Sequence, residues 1–202
     1  MNRRMLLISV GGATALGGVG CKGPLSTCGI SREQIDGPYY LALDDLRGDV
    51  TDGKQGIALA LLLEVVAGDS CDPVQDATVE LWQADASGTY SGFHALGTKG
   101  ERFLRGTQRG DGAGAVSFTT IYPGFYPGRT PHLHLRVTAP GYAELVTQVY
   151  FPRKTNAAVA GEYGAGDTTN DSDGFYDEEN LLDIEKDGDG YLASGRIALW
   201  PA

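Results

Sequence analysis

The stretch from residue 115 to residue 138 constrains the fold most, because two strand-like segments there flank a turn that regular structure cannot cross. The segments are Ala115–Ile121 and His132–Thr138. Between them, residues 123–128 contain two prolines and two glycines, which interrupt both strands and helices. The 30 glycines among 202 residues are roughly twice the usual share, and they favour short strands and tight turns along the whole chain.

Other segments have the same character. Residues 57–66 form the most apolar run and predict a buried strand, and residues 78–85 alternate between apolar and polar side chains. Residues 145–151 predict a further strand, and residues 186–191 a hairpin turn. No long amphipathic helix is visible. We therefore predict an all-β fold: a single-domain β-sandwich of mostly antiparallel strands, with long loops that carry the site.

The first residues differ from the rest of the chain. Arg3 and Arg4 precede an apolar stretch, which is typical of an export signal of the twin-arginine kind over residues 1–20, although the general secretory route stays open. Cys21 is a candidate for lipidation, but Gly18 departs from the bulky residue of lipoprotein signals. We expect residues 21–35 to be a tether and residues 36–202 the folded domain, exported to the cell envelope or beyond it.

Charge and cysteine content narrow the partners and the compartment. The net charge of −10 makes nucleic acid an improbable partner. If Cys21 carries lipid and forms a membrane anchor, Cys28 and Cys71 remain as a candidate disulfide in an oxidising compartment. The sequence leaves the oligomeric state undetermined.

Two of the three histidines of the chain stand in one His-x-His pattern. Residues two apart in a strand point to the same face. His132 and His134 therefore present two imidazoles side by side, while Leu133, Leu135 and Val137 point into a core. Taken alone, such a pair is more often a pair of half-buried polar side chains than a metal site.

The turn before the histidines can place a tyrosine near them, and this strengthens the metal interpretation. Tyr122 and Tyr126 both qualify, and the residues alone do not choose between them. Imidazole suits several transition metals, but a tyrosinate is a hard anionic donor that stabilises a trivalent ion. Because tyrosine ordinarily titrates near 10, only a strongly Lewis-acidic metal would ionise it at neutral pH. Ferric iron fits such a set best, and zinc fits poorly.

The acidic residues near the C-terminus are arranged somewhat like a calcium loop. Thr169, Asp171 and Asp173-Gly174 match its start, but Asn180 stands where a bidentate glutamate belongs. We therefore do not predict a calcium site.

With these pieces in place, the sequence resembles the intradiol ring-cleavage dioxygenases, in particular short, exported bacterial members, over about residues 32–200. No single motif carries the resemblance, but the motifs together are far more specific than any one of them. They are Asp36-Gly37-Pro38-Tyr39-Tyr40, residues 79–85 with Gly88-Thr89-Tyr90-Ser91-Gly92, Phe103-Leu104-Arg105-Gly106, and residues 119–134.

The resemblance implies a mononuclear, non-haem Fe(III) site with four protein ligands. Tyr90 matches the equatorial tyrosinate and His132 the equatorial histidine. Tyr126 matches the axial tyrosinate that leaves when substrate binds, and His134 the axial histidine.

The resemblance also implies roles around the metal. Arg129 matches the arginine that stabilises negative charge on the substrate, and Gln148 resembles a glutamine behind the ligands. Tyr39 is expected at the mouth of the pocket. Gly128 stands where some members carry a bulky aromatic residue, which implies a roomier pocket. The helical dimerisation region of the cytosolic enzymes is not expected here.

The implied activity is cleavage of a catechol-type ring between its two hydroxyls with O₂, giving a cis,cis-muconate-type diacid. The partners would be a small aromatic diol and O₂. The alternative from another class is an exported, non-catalytic β-sandwich lipoprotein that binds carbohydrate or protein. A zinc hydrolase is a weaker alternative, because no carboxylate stands at helical spacing from the histidines.

Overall fold

The computed structural model describes residues 27–43 and 45–202. The predicted export signal over residues 1–20 and the lipidation candidate Cys21 lie outside these residues. Within the described ranges, no helix is long and apolar enough to cross a membrane.

In the described part of the chain, eight strands form two four-stranded sheets, and one α-helix lies between the sixth and seventh strands. The elements are β1 Ala58–Ala67, β2 Thr78–Trp82, β3 Arg105–Arg109, β4 Ala115–Ile121, β5 His132–Thr138, β6 Leu145–Tyr150, α1 Arg153–Tyr163, β7 Asp183–Asp187 and β8 Gly190–Leu199. Two 3₁₀ turns, His94–Leu96 and Glu178–Asn180, complete the set.

The first sheet has the order β4-β1-β8-β7 and the second the order β3-β2-β5-β6. All strand pairs are antiparallel except β1 with β8. We call them the first and the second sheet. The mostly antiparallel two-sheet architecture predicted from the sequence is confirmed, and β7 and β8 form the hairpin expected around residues 186–191.

The core lies between the two sheets. On β5, Leu133, Leu135 and Val137 are fully buried there, as the alternation predicts. The apolar run of residues 57–66 forms the strand β1, but this strand is not buried along its whole length as predicted. Leu59 and Leu61 are in the core, but Leu62 is 45% exposed, because none of the described residues forms a layer over the outer face of the first sheet at this point.

Helix α1 was not predicted from the sequence, and its burial pattern explains why. Only Asn156 and Val159 of its 11 residues are buried, so the helix has no apolar stripe that a 3.6-residue period could reveal. The helix follows Pro152, which stands at its N-cap.

Residues 27–35, the described part of the expected tether over residues 21–35, pair with both sheets, and residues 21–26 lie outside the described residues. Ile30 is 6% exposed and pairs with Ile197 of β8. The Gln34 amide donates to the Val146 carbonyl of β6 at 2.8 Å. A disulfide joins Cys28 to Cys71. Edge pairing of this kind uses backbone groups and leaves no side-chain period in the sequence.

Candidate metal centre

The second sheet places the two histidines side by side on its outer face. The Nε2 atoms of His132 and His134 are 3.1 Å apart, and both side chains are 3% exposed. Within the sheet, His134 pairs with Trp82 on one side and Gln148 on the other. The Trp82 and His134 rings stack with centroids 4.9 Å apart. The paired imidazoles predicted from the His-x-His pattern are present.

Each imidazole is held differently. The carbonyl of Thr130 lies 2.7 Å from His132 Nδ1, so an Nδ1–H donating to it leaves the Nε2 lone pair free. His134 Nδ1 has no hydrogen-bond partner among the described residues. Its ring is held by Trp82 on one side, and a Cβ added at Gly37 would lie 3.3 Å from its Cε1 atom.

A loop after β2 brings Tyr90 to the histidines. The loop begins at Asp85, whose Oδ1 accepts hydrogen bonds from the Ser87 and Thr89 amides, both at 3.0 Å. It packs directly on the turn before β5, because the Gly124 amide donates to the Asp85 carbonyl at 3.0 Å. A Cβ at Gly88 would lie 2.3 Å from the Phe125 carbonyl oxygen, so this contact needs a glycine.

Tyr90 points its hydroxyl at the histidine pair. Its Oη lies 3.3 Å from His132 Nε2, and the side chain is 1% exposed. The backbone around it is fixed from outside the loop. Thr98 donates to the Tyr90 carbonyl at 2.7 Å, and Arg105 donates from Nε to the Ser91 hydroxyl at 2.9 Å.

Of the two tyrosines left open by the sequence, only Tyr126 belongs to this cluster. Its ring centroid is 6.0 Å from that of Tyr90. Its hydroxyl is 3.2 Å from the hydroxyl of Tyr39, whose ring stacks on Tyr90 with centroids 4.5 Å apart. Tyr122 is buried elsewhere and donates to Asn156 at 2.7 Å.

Burial sets the protonation of the cluster. It lowers the pKa of His132 to about 4, with the nearby Arg129 charge acting in the same direction. Burial also holds the pKa of His134 well below its ordinary value, so both imidazoles are neutral near pH 7. Burial raises the pKa of Tyr90. The hydrogen bond with Tyr126, followed by burial, raises the pKa of Tyr39 to about 12.

These donors fit a hard, strongly Lewis-acidic cation. Two neutral imidazole nitrogens and one phenol oxygen converge in a buried site, and a phenol with a raised pKa ionises there only if a cation compensates it. In the described part of the chain, no group of three or more His, Cys, Asp or Glu side chains is placed to hold a metal ion. A site of histidine and tyrosine donors lies outside that set of ligands.

Arg129 and Gln148 lie next to each other beside the histidines. Arg129 Nη2 donates to Gln148 Oε1 at 2.6 Å and to the Tyr150 hydroxyl at 3.3 Å. Gln148 is fully buried and donates from Nε2 to the Ile35 carbonyl at 3.0 Å. The neighbouring Gly128 has a φ of +77° and open space where a Cβ would stand, so its backbone conformation alone accounts for a glycine.

Two charged residues next to the cluster received no role from the sequence, although Arg105 stands in one of the motifs that carry the resemblance. Arg105 is 3% exposed, and its Nη1 atom has no hydrogen-bond partner in the described ranges. Asp173 accepts a hydrogen bond from Arg129 Nε at 2.9 Å. The sequence analysis considered Asp173 only as part of a poor calcium loop, and neither residue stands in a pattern that predicts burial.

Comparison with known proteins finds a family match and several relatives. The dioxygenase family (Dioxygenase_C) matches residues 35–160. A chlorocatechol 1,2-dioxygenase of Cupriavidus pinatubonensis is 31% identical over 145 residues, which are 60% of this chain and 54% of the relative. A hydroxyquinol 1,2-dioxygenase of Corynebacterium glutamicum is 33% identical over 140 residues, 57% of this chain and 44% of the relative.

Solved structures match over more of the chain. An intradiol ring-cleavage dioxygenase from Tetranychus urticae has a TM-score of 0.78 at 31% identity, covering 86% of this chain and 96% of that one. The dioxygenase domain of a carbohydrate-binding fusion protein from Streptomyces sp. SirexAA-E has a TM-score of 0.70 at 29% identity, covering 85% of this chain and 99% of that one.

The chain belongs to the intradiol ring-cleavage dioxygenase family. It spans about half the length of the curated relatives it matches.

Proposed function

We propose that this protein is a non-haem Fe(III) dioxygenase that opens a catechol-type ring between its two hydroxyls with O₂, giving a cis,cis-muconate-type diacid. The observation that carries the proposal is the convergence of Tyr90 Oη, His132 Nε2 and His134 Nε2 in one buried site. Relatives named as catechol and chlorocatechol 1,2-dioxygenases support it. The alternative of a non-catalytic binding lipoprotein gives no reason for these buried donors.

Four side chains would hold the iron: Tyr90, Tyr126, His132 and His134. When bound, ferric iron supplies Lewis acidity and a template that fixes the orientation of the diol. Tyr90 and the two histidines are the more deeply buried donors, whereas Tyr126 is half-buried. We assign to Tyr126 the role of the donor that gives way to substrate.

The surrounding residues would handle protons, charge and water. A catechol must lose two protons to become a dianion. We assign one to Tyr126 Oη, which would hold the metal as a phenolate and lies 3.2 Å from Tyr39 Oη, and the other to water. Arg129 supplies positive charge where negative charge develops on the ring. Gln148 holds the guanidinium through its contact with Nη2. Tyr39, with Phe93 edge-on to its ring at 5.1 Å, shields the site from water.

Oxygen uptake by the iron-loaded protein tests this function. With catechol, hydroxyquinol and protocatechuate offered separately, we expect uptake with at least one diol and a ring-opened diacid that carries both atoms of ¹⁸O₂. A semialdehyde product would indicate cleavage outside the two hydroxyls and would contradict the proposal. His134→Ala, loaded in the same way, is the control for reaction catalysed by free iron.

Export is a second part of the proposal, and residues 1–20 support it through their paired arginines and apolar stretch. The Cys28–Cys71 disulfide is of the kind that persists in oxidising compartments. Fractionation of cells that express the full chain tests it. We expect the protein in the envelope or medium, and we expect Arg3→Lys/Arg4→Lys to retain it in the cytoplasm. Export of this variant at the normal level would contradict the twin-arginine route.

A further inference from the structure

A buried carboxylate lies behind the candidate site, on a loop that belongs to neither sheet. The side chain of Asp173 is 0% exposed. It accepts Arg129 Nε on both oxygens at 2.9 Å, the Thr130 amide on Oδ2 at 2.9 Å and the Phe175 amide on Oδ1 at 2.9 Å. Burying a carboxylate is costly unless it is paired and hydrogen-bonded. Here the arginine supplies the opposite charge, and the two backbone amides supply further hydrogen bonds.

One consequence concerns the orientation of Arg129. Its Nε atom is engaged by Asp173 and its Nη2 atom by Gln148 and Tyr150. The Phe175 ring centroid lies 4.7 Å from its Cζ atom. Among the described residues, Nη1 has no hydrogen-bond partner. The guanidinium is therefore held at Nε, at Nη2 and on the face that the Phe175 ring covers. The two N–H groups of Nη1 are left for a ligand.

A second consequence concerns His132. Asp173 holds the amide of Thr130, and the carbonyl of the same residue lies 2.7 Å from His132 Nδ1. This contact fixes the ring orientation and directs Nε2 toward Tyr90 and His134. A single carboxylate thus aligns both an arginine and a histidine of the site.

The loop that carries Asp173 has other anchors. Asn170 donates from Nδ2 to the Phe151 carbonyl at 2.9 Å and accepts from Asn156 Nδ2 at 2.8 Å. The Thr130 hydroxyl donates to Asn170 at 2.8 Å. These contacts should keep the loop attached to Phe151 just after β6, to α1 and to Thr130 when the carboxylate is changed, so an effect on function can be separated from an effect on folding.

We propose that Asp173 is a positioning residue of the active site, which sets the orientation of Arg129 toward the bound diol and that of His132 through the Thr130 peptide. The inference rests on the proposed function. It adds a residue that touches neither substrate nor metal and that acts through two residues that do.

The test compares Asp173→Asn with Asp171→Asn, a matched control in the same loop. Asp171 is 62% exposed and pairs with the exposed Arg153. We expect Asp173→Asn to lower kcat by roughly 10–100-fold, the usual loss when a partner behind a metal site is removed, with a smaller change in KM. We expect Asp171→Asn to retain the kcat of the unmodified protein.

A double-mutant cycle with Arg129→Gln separates positioning from a purely structural role. If Asp173 acts through Arg129, Asp173→Asn causes a much smaller loss of kcat in the Arg129→Gln background than in the unmodified protein. Equal fold losses in both backgrounds would overturn the proposal. Anaerobic binding of catechol, followed by the visible absorption of the iron-loaded protein, is the readout without turnover, and we expect weaker binding in Asp173→Asn only.

The remaining outcomes are also decisive. If the unmodified protein takes up no oxygen with any diol, the proposed function fails and this inference fails with it. If the unmodified protein is active and Asp173→Asn has the same kcat, only this inference fails. Should Asp173→Asn not fold, Asp173→Glu replaces it, with lowered kcat expected because the longer carboxylate displaces the guanidinium. If neither variant folds, Asp173 serves the fold alone and the proposal is overturned.

Discussion

The outer faces of the two sheets differ in exposure, although the inner faces of both sheets contribute to one core. On the first sheet, Leu62 of β1 is 45% exposed, and Ser117 and Arg196 beside it face solvent. On the second sheet, Trp82 and His134 are 2% and 3% exposed, because the loops that carry Tyr39, Tyr90 and Tyr126 cover them.

The difference shows where this architecture can build a buried polar site. Successive side chains of a strand point alternately to the two faces of its sheet. When the core covers one face and loops cover the other, both sets are buried, so the outward-facing residues can be polar and still be shielded from water. There, neutral imidazoles and hydrogen-bonded phenols meet. No described loop covers the outer face of the first sheet around Leu62 in this way, and substitutions there should be tolerated.

Removing one imidazole from the covered face should have the largest effect. His132→Ala and His134→Ala each delete a proposed ligand, and we expect kcat to fall by about 10²–10³-fold or more, together with loss of bound iron. Leu62→Thr, on the exposed face, is the control. It should leave kcat unchanged and should change the free energy of unfolding by no more than about 0.5 kcal/mol. Equal losses in all three variants would refute the comparison.

A pair of glycines tests how closely the cover fits the histidines. Gly37 and Gly53 both have left-handed backbones, with φ of +70° and +74°, but a Cβ at Gly37 would lie 3.3 Å from His134 Cε1, while Gly53 has open space. Gly53→Ala should cost only the backbone strain, about 1 kcal/mol, and retain activity. Gly37→Ala should also lower kcat, because His134 must move. Identical activities would contradict this contact.

The disulfide packs against the first sheet, away from the candidate metal centre. Cys28 packs with Val66 and Ala198 in a small cluster, and it is joined to Cys71 across 43 residues. Cys28→Ser/Cys71→Ser should therefore lower the free energy of unfolding by about 2–4 kcal/mol, measured in urea. The activity at 25 °C should be unchanged. Loss of activity in folded protein would show that this region couples to the site.

The smallest expected effect is the pH dependence due to Asp85, which begins the Tyr90 loop. Burial opposes its charge, but hydrogen bonds from Lys54, Ser87 and Thr89 outweigh burial and lower the pKa. Because the folded-state pKa of Asp85 lies below its ordinary value of 3.8, the charged carboxylate stabilises the fold above about pH 3.8. This contribution is lost as the pH falls from there through the lowered folded-state pKa. In urea unfolding from pH 7 to pH 3, the stability advantage over Asp85→Asn should shrink below about pH 4. A constant difference would contradict it.

The sequence predicted what depends on local pattern. Alternation and turn residues gave the strands, and the spacing of His132 and His134 gave two imidazoles on one face. Asp173 could not be predicted, because it lies 44 residues after Arg129 along the chain and meets it only through the loop between α1 and β7. The pairing of Ile30 with β8 uses backbone groups alone, and α1 buries too few residues to show a period.

Visible absorption of the iron-loaded protein tests the central claim most directly, because tyrosinate bound to ferric iron gives a charge-transfer band that histidine ligands alone cannot give. The account predicts a burgundy protein that binds one iron per chain, with the band shifted or weakened in Tyr90→Phe and in Tyr126→Phe and unchanged in Tyr122→Phe. A colourless protein that holds one ferric ion per chain would contradict it.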